Sequence, residues 1–274
     1  MEWVLPDVGV DCHVYRGFYR MKVRVLGCYG SELMGYNPTS FLVNEDVLID
    51  AGTIASALTM EEQLKIRSVL LSHSHFDHIK GLFFLADNLF ERFSTTIDIF
   101  TTQGILDILK VHYFNDLLSP DFTSIPDRTN PVMRFNPIRP GQGFEVNGLL
   151  IHAFEANHVV ETVGYTLQDG GATILYSGDT GTTPWIWKEA RHRKDLKAIF
   201  VETSFPNRLG KLAELTGHLT PLMLEKELEK WGDIDIPIFL YHMKPQYLET
   251  LTLEIGELKR PNISILKQGD EFNF

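Results

Sequence analysis

His73-Ser74-His75-Phe76-Asp77-His78 follows on the apolar run Ile66-Arg67-Ser68-Val69-Leu70-Leu71. Three imidazoles and a carboxylate thus fall within six residues, at the end of what reads as a buried strand. Solvated polar loops favour Gly, Asn, Asp and Ser, so histidines clustered in this way point to chemistry rather than to surface. Imidazole nitrogen and carboxylate oxygen are the ligands that borderline metals such as zinc take, and a catalytic site keeps a position open for water. Alternation along an extended chain sends His73 and His75 to one side, with Asp77 and His78 in the turn beyond. That arrangement can serve two adjacent metal ions.

Working outward, strands are expected at 22–27, 40–43 and 47–50, the last ending in the turn Asp50-Ala51-Gly52-Thr53. A helix is expected over 54–65 and a strand over 67–71. After the histidines, Leu82, Phe83, Leu85, Ala86, Leu89 and Phe90 recur at helical spacing, which predicts an amphipathic helix over 79–92. A strand over 96–101 and a helix over 104–112 come next. The segment 115–131, with Pro120, Pro126 and Pro131, reads as a long loop, a candidate lid or dimer contact. Further strands are expected at 132–135, 149–154, 162–167, 173–176, 198–201, 236–241 and 263–266, the last closing the chain. Helices are expected at 184–191, 220–231 and 246–258. Strands followed by a helix, in an order that recurs in the second half, predict an α/β fold of two packed sheets with helices outside.

Three more metal-binding residue types fall just past predicted strands: His158, Asp179 and His242. Each alone is a weak signal, because a histidine after a strand is usually structural. With His73, His75, Asp77 and His78 they make a set of seven. Loops at one edge of a rigid sheet are the usual place to assemble such a site.

Length and composition agree with a globular enzyme. The 274 residues suit one large domain, here residues 21–274 after an N-terminal extension of residues 1–20, and 44% hydrophobic content leaves ample core. Cys12 and Cys28 are the only cysteines, too few for a disulfide framework, and both read as buried apolar residues. No apolar run reaches the length of a membrane span, and the N-terminus lacks a basic segment leading into a hydrophobic one, so a cytoplasmic protein without a membrane partner is expected. With 36 acidic against 25 basic side chains, the formal net charge is −11. That average field repels a large polyanion, so nucleic acid is not the expected partner.

The pattern His-x-His-x-Asp-His, then His158, then Gly178-Asp179-Thr180, then His242 resembles the metallo-β-lactamase superfamily over roughly residues 22–266. The resemblance implies an αββα sandwich and two divalent metal ions. It places His73, His75 and His158 at the first metal, Asp77, His78 and His242 at the second, and Asp179 between them. Zinc, manganese and iron all accept this donor set, with zinc the first expectation.

Within the superfamily, Glu202-Thr203-Ser204-Phe205-Pro206-Asn207, Gly217-His218-Leu219-Thr220-Pro221 and His242-Met243-Lys244-Pro245 resemble the phosphodiesterase branch, most of all the class II cyclic-nucleotide phosphodiesterases. The family's usual residue at Phe76 is Leu. The resemblance implies hydrolysis of 3′,5′-cyclic AMP or GMP to 5′-monophosphates by a metal-bridging hydroxide. His218, oriented by Glu202, would contact the scissile phosphate or protonate the leaving oxygen, and Asp77 would serve both as a ligand and in catalysis. It also implies a homodimer. Lys244 reads as solvated, and Tyr36, Asn37, Thr39, Phe205 and Asn207 are candidates for base recognition. The rival readings are RNase Z-like processing or cyclic-dinucleotide hydrolysis, thioester or lactam hydrolysis on the same scaffold, a diiron redox role, and a binding protein without turnover. RNase Z usually carries a long arm for tRNA, and none is visible here.

Overall fold

The computed structural model describes residues 21–90, 96–230, 232 and 235–274. The expected extension 1–20, with Cys12, lies outside the described residues. So do residues 91 and 92 of the helix expected over 79–92, and residue 231 of the one expected over 220–231.

Strands β1 (Lys22–Gly27), β2 (Ser40–Val43), β3 (Val47–Ile49), β4 (Ser68–Leu70), β5 (Ile97–Thr102) and β6 (Met133–Ile138) pair in sequence order. The second sheet contains β7 (Gly143–Val146), β8 (Leu149–Glu155), β9 (Val163–Asp169), β10 (Ala172–Tyr176), β11 (Leu196–Glu202), β12 (Ile238–Tyr241) and β13 (Ile263–Ile265), also in order. Finally β14 (Glu271–Asn273) returns to pair antiparallel with β1, Lys22 opposite Asn273, and gives each sheet seven strands.

Side-chain alternation sets the layers. Leu70, Ile49, Ile174, Tyr176 and Phe200 face a core shared by both sheets, where Phe41 meets Tyr176, Phe200 and Tyr241 edge-on. Their neighbours Leu48 and Val69 point the other way, onto α3 (Gly81–Leu89) and α4 (Gln103–His112). Likewise Leu175, Ile199 and Val201 face α5 (Trp185–Arg191), α7 (Pro221–Glu229) and α8 (Leu248–Glu257). The result is helix, sheet, sheet, helix, as the sequence leads one to expect.

Several local expectations are corrected. Only α1 (Met60–Gln63) is helical between 54 and 65; a capping box of Thr59 and Glu62 starts it there. Ile54 and Leu58 are buried at helical spacing, yet 51–58 is a loop, tied to the histidine motif by Ala51 N–H donating to His78 O at 2.7 Å. The helix expected from Ile79 instead begins inside the motif, as α2 (Phe76–Ile79), and breaks at Lys80 before α3. Strand β7, helix α6 (Gly210–Thr216) and β14 were not expected, so the strand at 263–265 does not close the chain. The segment 115–131 has neither helix nor strand, and Phe122 pins it into the core under α3 and α4.

Candidate metal centre

Six strands lead polar residues to one rim of the sandwich. Asp50 follows β3, Ser72 and His73 follow β4, His158 follows β8, Asp179 follows β10, Glu202 ends β11 and His242 follows β12. This is the carboxyl end of the parallel strands, where α/β sheets place their ligand sites. The motif itself turns at His75, which is extended (φ −64°, ψ 147°) before α2 begins. Asp50 and His242 both hold left-handed backbone, at φ 55° and 65°. Such strain in a non-glycine residue persists only where surrounding structure enforces it, and it clusters at functional sites.

All seven proposed ligands come together. His73, His75 and His158 offer atoms within 4.8 Å of one another, and so do Asp77, His78 and His242. His75 Nδ1 lies 3.2 Å from His158 Nε2, and Asp77 Oδ2 lies 3.3 Å from His242 Nε2. Asp179 Oδ2 stands between the two groups, 3.6 Å from His73 Nε2, 3.3 Å from His78 Nε2 and 3.2 Å from His242 Nε2.

Among the described residues, both oxygens of Asp179 and His73 Nε2 are buried without a hydrogen-bond partner. Buried polar atoms are rarely left so, and a buried carboxylate among imidazole lone pairs is a cation site by its chemistry. The residues present therefore fit divalent metal ions.

Behind the inward-facing nitrogens, the rings of His73, His78 and His158 are each held by the other nitrogen. His158 Nδ1–H donates to Gly217 O at 2.8 Å. That carbonyl is placed by Gly217 in left-handed conformation (φ 67°) at the end of α6, where an added Cβ would also meet the His158 ring. His73 Nδ1–H donates to Ser72 Oγ at 2.9 Å, and the Ser72 hydroxyl donates to Asp50 Oδ2 at 2.8 Å. His78 Nδ1–H donates to the same Asp50 oxygen at 2.7 Å, and Tyr176 O–H does so at 2.5 Å.

Burial drives His73, His75 and His158 below the ordinary imidazole range, which keeps lone pairs available. Burial acts the same way on His78, but the carboxylates of Asp179 and Asp50 outweigh it and hold that ring well above its usual value. Burial alone would raise Asp179, whereas His242 and His78 hold its carboxyl well below the usual range.

Beside this cluster, His218 Nδ1–H donates to Glu202 Oε1 at 2.8 Å, with Glu202 fully buried. Burial disfavours the imidazolium, but the Glu202 charge and hydrogen bond prevail and raise His218 above its ordinary value. The ring lies 5.0 Å from His158 and 5.3 Å from His242, centroid to centroid.

Of the base-recognition candidates, Thr39 is buried with its hydroxyl donating to Tyr29 O at 3.4 Å, Asn37 donates to Leu26 O at 3.2 Å, and Asn207 Oδ1 accepts from Leu222 N–H at 2.8 Å. These three are engaged within the fold. Tyr36 packs edge-on to Tyr29, and Phe205 lies 5.6 Å from the His218 ring. Lys244 is not the solvated side chain expected: it is half-buried, donates to Gly30 O, and lies 5.9 Å above the Phe205 ring. Sequence reading missed Asp50, which looked like a turn residue, and the hydroxyls of Ser72, Tyr176 and Ser204.

Residues 45–240 match the family profile described as the beta-lactamase superfamily domain, well over half of the chain. The chain belongs to the β-lactamase superfamily. A probable 3′,5′-cyclic-nucleotide phosphodiesterase of Yersinia pestis is 25% identical over 312 aligned residues, covering 92% of this chain and 89% of its own. A Ribonuclease Z of Methanopyrus kandleri is 31% identical over 125 residues, covering 44% of this chain and 39% of its own. The crystal structure of unliganded yeast PDE1 superposes with a TM-score of 0.80 at 18% identity, covering 93% of this chain and 99% of that one. This superfamily member has the metallo-β-lactamase fold and is a metal-dependent hydrolase. Among the described residues, no helix is long and apolar enough to cross a membrane.

Proposed function

We propose that the protein is a dimetal phosphodiesterase that hydrolyses 3′,5′-cyclic nucleotides to nucleoside 5′-monophosphates. The buried Glu202–His218 pair, 2.8 Å apart and set beside seven converging ligands, carries this reading. The name of the Yersinia pestis relative supports the substrate class, since its alignment spans most of both chains.

His73, His75 and His158 would hold one cation and Asp77, His78 and His242 the other, with Asp179 facing both. Zinc is the metal proposed, since an imidazole-rich set with carboxylates accepts it, as it also accepts manganese and iron. When bound, two such cations polarise the phosphoryl oxygens and supply a water nucleophile near neutral pH.

The chain's own residues do the rest. With Nδ1–H committed to Glu202, His218 has Nε2 free to face the substrate. As water adds to phosphorus, releasing a proton to solvent, and the P–O3′ bond breaks, His218 gives the Nε2 proton to the departing 3′ oxygen. It regains that proton from solvent. Glu202 fixes the ring's tautomer and favours its charged form before transfer. Proton donation by a positioned group of this kind contributes about 10²–10⁴-fold.

The Methanopyrus kandleri relative favours RNA phosphodiesters as a second reading. The net charge of −11 opposes it. Release of 5′-monophosphate from cyclic AMP and cyclic GMP, with Zn²⁺ or Mn²⁺ added, tests the two together. Turnover lost in both His218→Ala and Asp77→Ala is expected. Cleavage of a tRNA precursor with cyclic nucleotides untouched would overturn the first reading in favour of the second.

A further inference from the structure

We propose that Ser204 is a positioning residue that ties the ligand His242 to the Glu202–His218 pair, so that one hydroxyl serves both the metal centre and proton donation. Ser204 is fully buried. Its Oγ lies 2.9 Å from His242 Nδ1, 3.0 Å from Glu202 Oε2 and 3.2 Å from His218 Nδ1. It also lies 3.1 Å from the His242 carbonyl oxygen.

The direction of each bond follows from the donors available. His242 Nε2 faces Asp77, Asp179 and His78 Nε2, so it must present its lone pair there to take a cation. Its proton then sits on Nδ1 and is donated to Ser204 Oγ. The serine has one proton to give, and an ionised carboxylate is a stronger acceptor than a peptide carbonyl, so that proton goes to Glu202 Oε2. Glu202 Oε1 is left to receive His218 Nδ1–H. The chain of bonds runs from metal ligand to serine to carboxylate to acid without a gap.

A second copy of this unit already exists in the fold. Ser72 accepts from His73 Nδ1 and donates to Asp50, while Asp50 also receives His78 Nδ1–H. Serine, carboxylate and two imidazoles recur on the opposite sheet as Ser204, Glu202, His242 and His218. In the first copy both rings face the metal centre as ligands. In the second, one ring is a ligand and the other is the acid, so Ser204 joins the two functions that Ser72 does not have to join.

The substrate part of this inference rests on the phosphodiesterase reading; the metal part does not. The full chain, stripped of metal, would be titrated with Co²⁺ and its visible absorption followed for wild type, Ser204→Ala and Thr203→Ala. Thr203 is the control, an equally buried neighbouring hydroxyl that donates to Glu202 O and, among the described residues, has no hydrogen bond to an imidazole. In Ser204→Ala one of two Co²⁺ ions is expected to bind about 10–100-fold more weakly, with its absorption band altered. Thr203→Ala should titrate like wild type, and Ser204→Thr should recover part of the affinity. Wild-type Co²⁺ binding in Ser204→Ala, or the same loss in Thr203→Ala, would overturn the metal half of the proposal.

At saturating metal, Ser204→Ala should lose more turnover on cyclic AMP than on bis(4-nitrophenyl) phosphate, whose leaving group departs without a proton. In a Glu202→Gln background that extra loss should vanish, because Ser204 acts through the carboxylate. Equal losses on both substrates would overturn the coupling. If wild type cleaves the aryl diester but not cyclic AMP, the substrate reading fails while the Co²⁺ result still decides the role of Ser204.

Discussion

Glu202 Oε1 stands 2.8 Å from His218 Nδ1, and neither residue is in a position to coordinate with the atom it gives to the other. His158, Asp179 and His218 offer atoms within 4.8 Å of one another, so the ring stands close enough to bind metal, and its role as an acid is decided by a variant. His218→Ala should lower turnover of a cyclic phosphodiester by about 10²–10⁴-fold while the protein keeps two metal ions. Parallel assays of 5′-monophosphate release and metal content check this. A variant that loses metal along with activity would make His218 a ligand rather than an acid.

Asp50 accepts four hydrogen bonds, from Ser72 N–H at 2.7 Å, the Ser72 hydroxyl, His78 Nδ1–H and Tyr176 O–H. Three of them fall on Oδ2, a concentration that only a carboxylate sustains. In Asp50→Asn an amide must replace one oxygen, so the orientation of His78 and, through Ser72, of His73 is lost. Metal affinity should fall about 10–100-fold. Asp50→Ala leaves the hydroxyls and the His78 ring buried without their acceptor, and should cost about 3–5 kcal/mol in urea unfolding. Native metal affinity in Asp50→Asn would remove the residue from the site.

Asp50 also shows where sequence reading stops. The six-residue histidine motif is legible because its chemistry is local, and β10 because its run, bounded by Gly171 and Ser177, is too short for a helix and suits a strand buried on both faces. Asp50, in Asp-Ala-Gly-Thr, has every mark of a turn; its partners lie 22, 28 and 126 residues away. Ser204 lies within the stretch Glu202–Asn207, but one hydroxyl carries no periodicity to mark it. Ile54 and Leu58 mimic a helix because they enter the same core four residues apart. Strand β14 is three residues long, and its pairing with β1 spans nearly the whole chain. Only tertiary packing defines it.

Gly30 lies where backbone and site touch. A methyl group there would come within 2.5 Å of His242 O and 2.6 Å of His242 Nδ1. The His242 backbone has little room to retreat, because its N–H donates to Cys28 O at 2.6 Å and its φ is already left-handed. Gly30→Ala should cost about 1–3 kcal/mol and weaken the metal that His242 faces. Gly210→Ala, within α6 and with nothing near the added methyl, should leave both thermal midpoint and metal affinity near native or slightly raise the midpoint. Equal effects from the two substitutions would mean that the contact with His242 does not matter.

Burial also sets the limit of stability at high pH. It pushes the Cys28 thiol up from 9.0 to about 12, with Asp270 adding to the effect, and pushes the phenols of Tyr29 and Tyr113 up from 10.0 to about 12. Each group is therefore neutral in the folded chain at a pH where the unfolded chain has already lost its proton. Between about pH 9 and 12 the unfolded state binds fewer protons, so stability must fall as pH rises. Below the unfolded values these groups contribute no slope. The urea midpoint should decline from about pH 9 upward, and Cys28→Ala, whose group titrates first when exposed, should flatten the earliest part of that decline. An unchanged early slope in Cys28→Ala would mean that the thiol ionises as readily inside the fold as outside it.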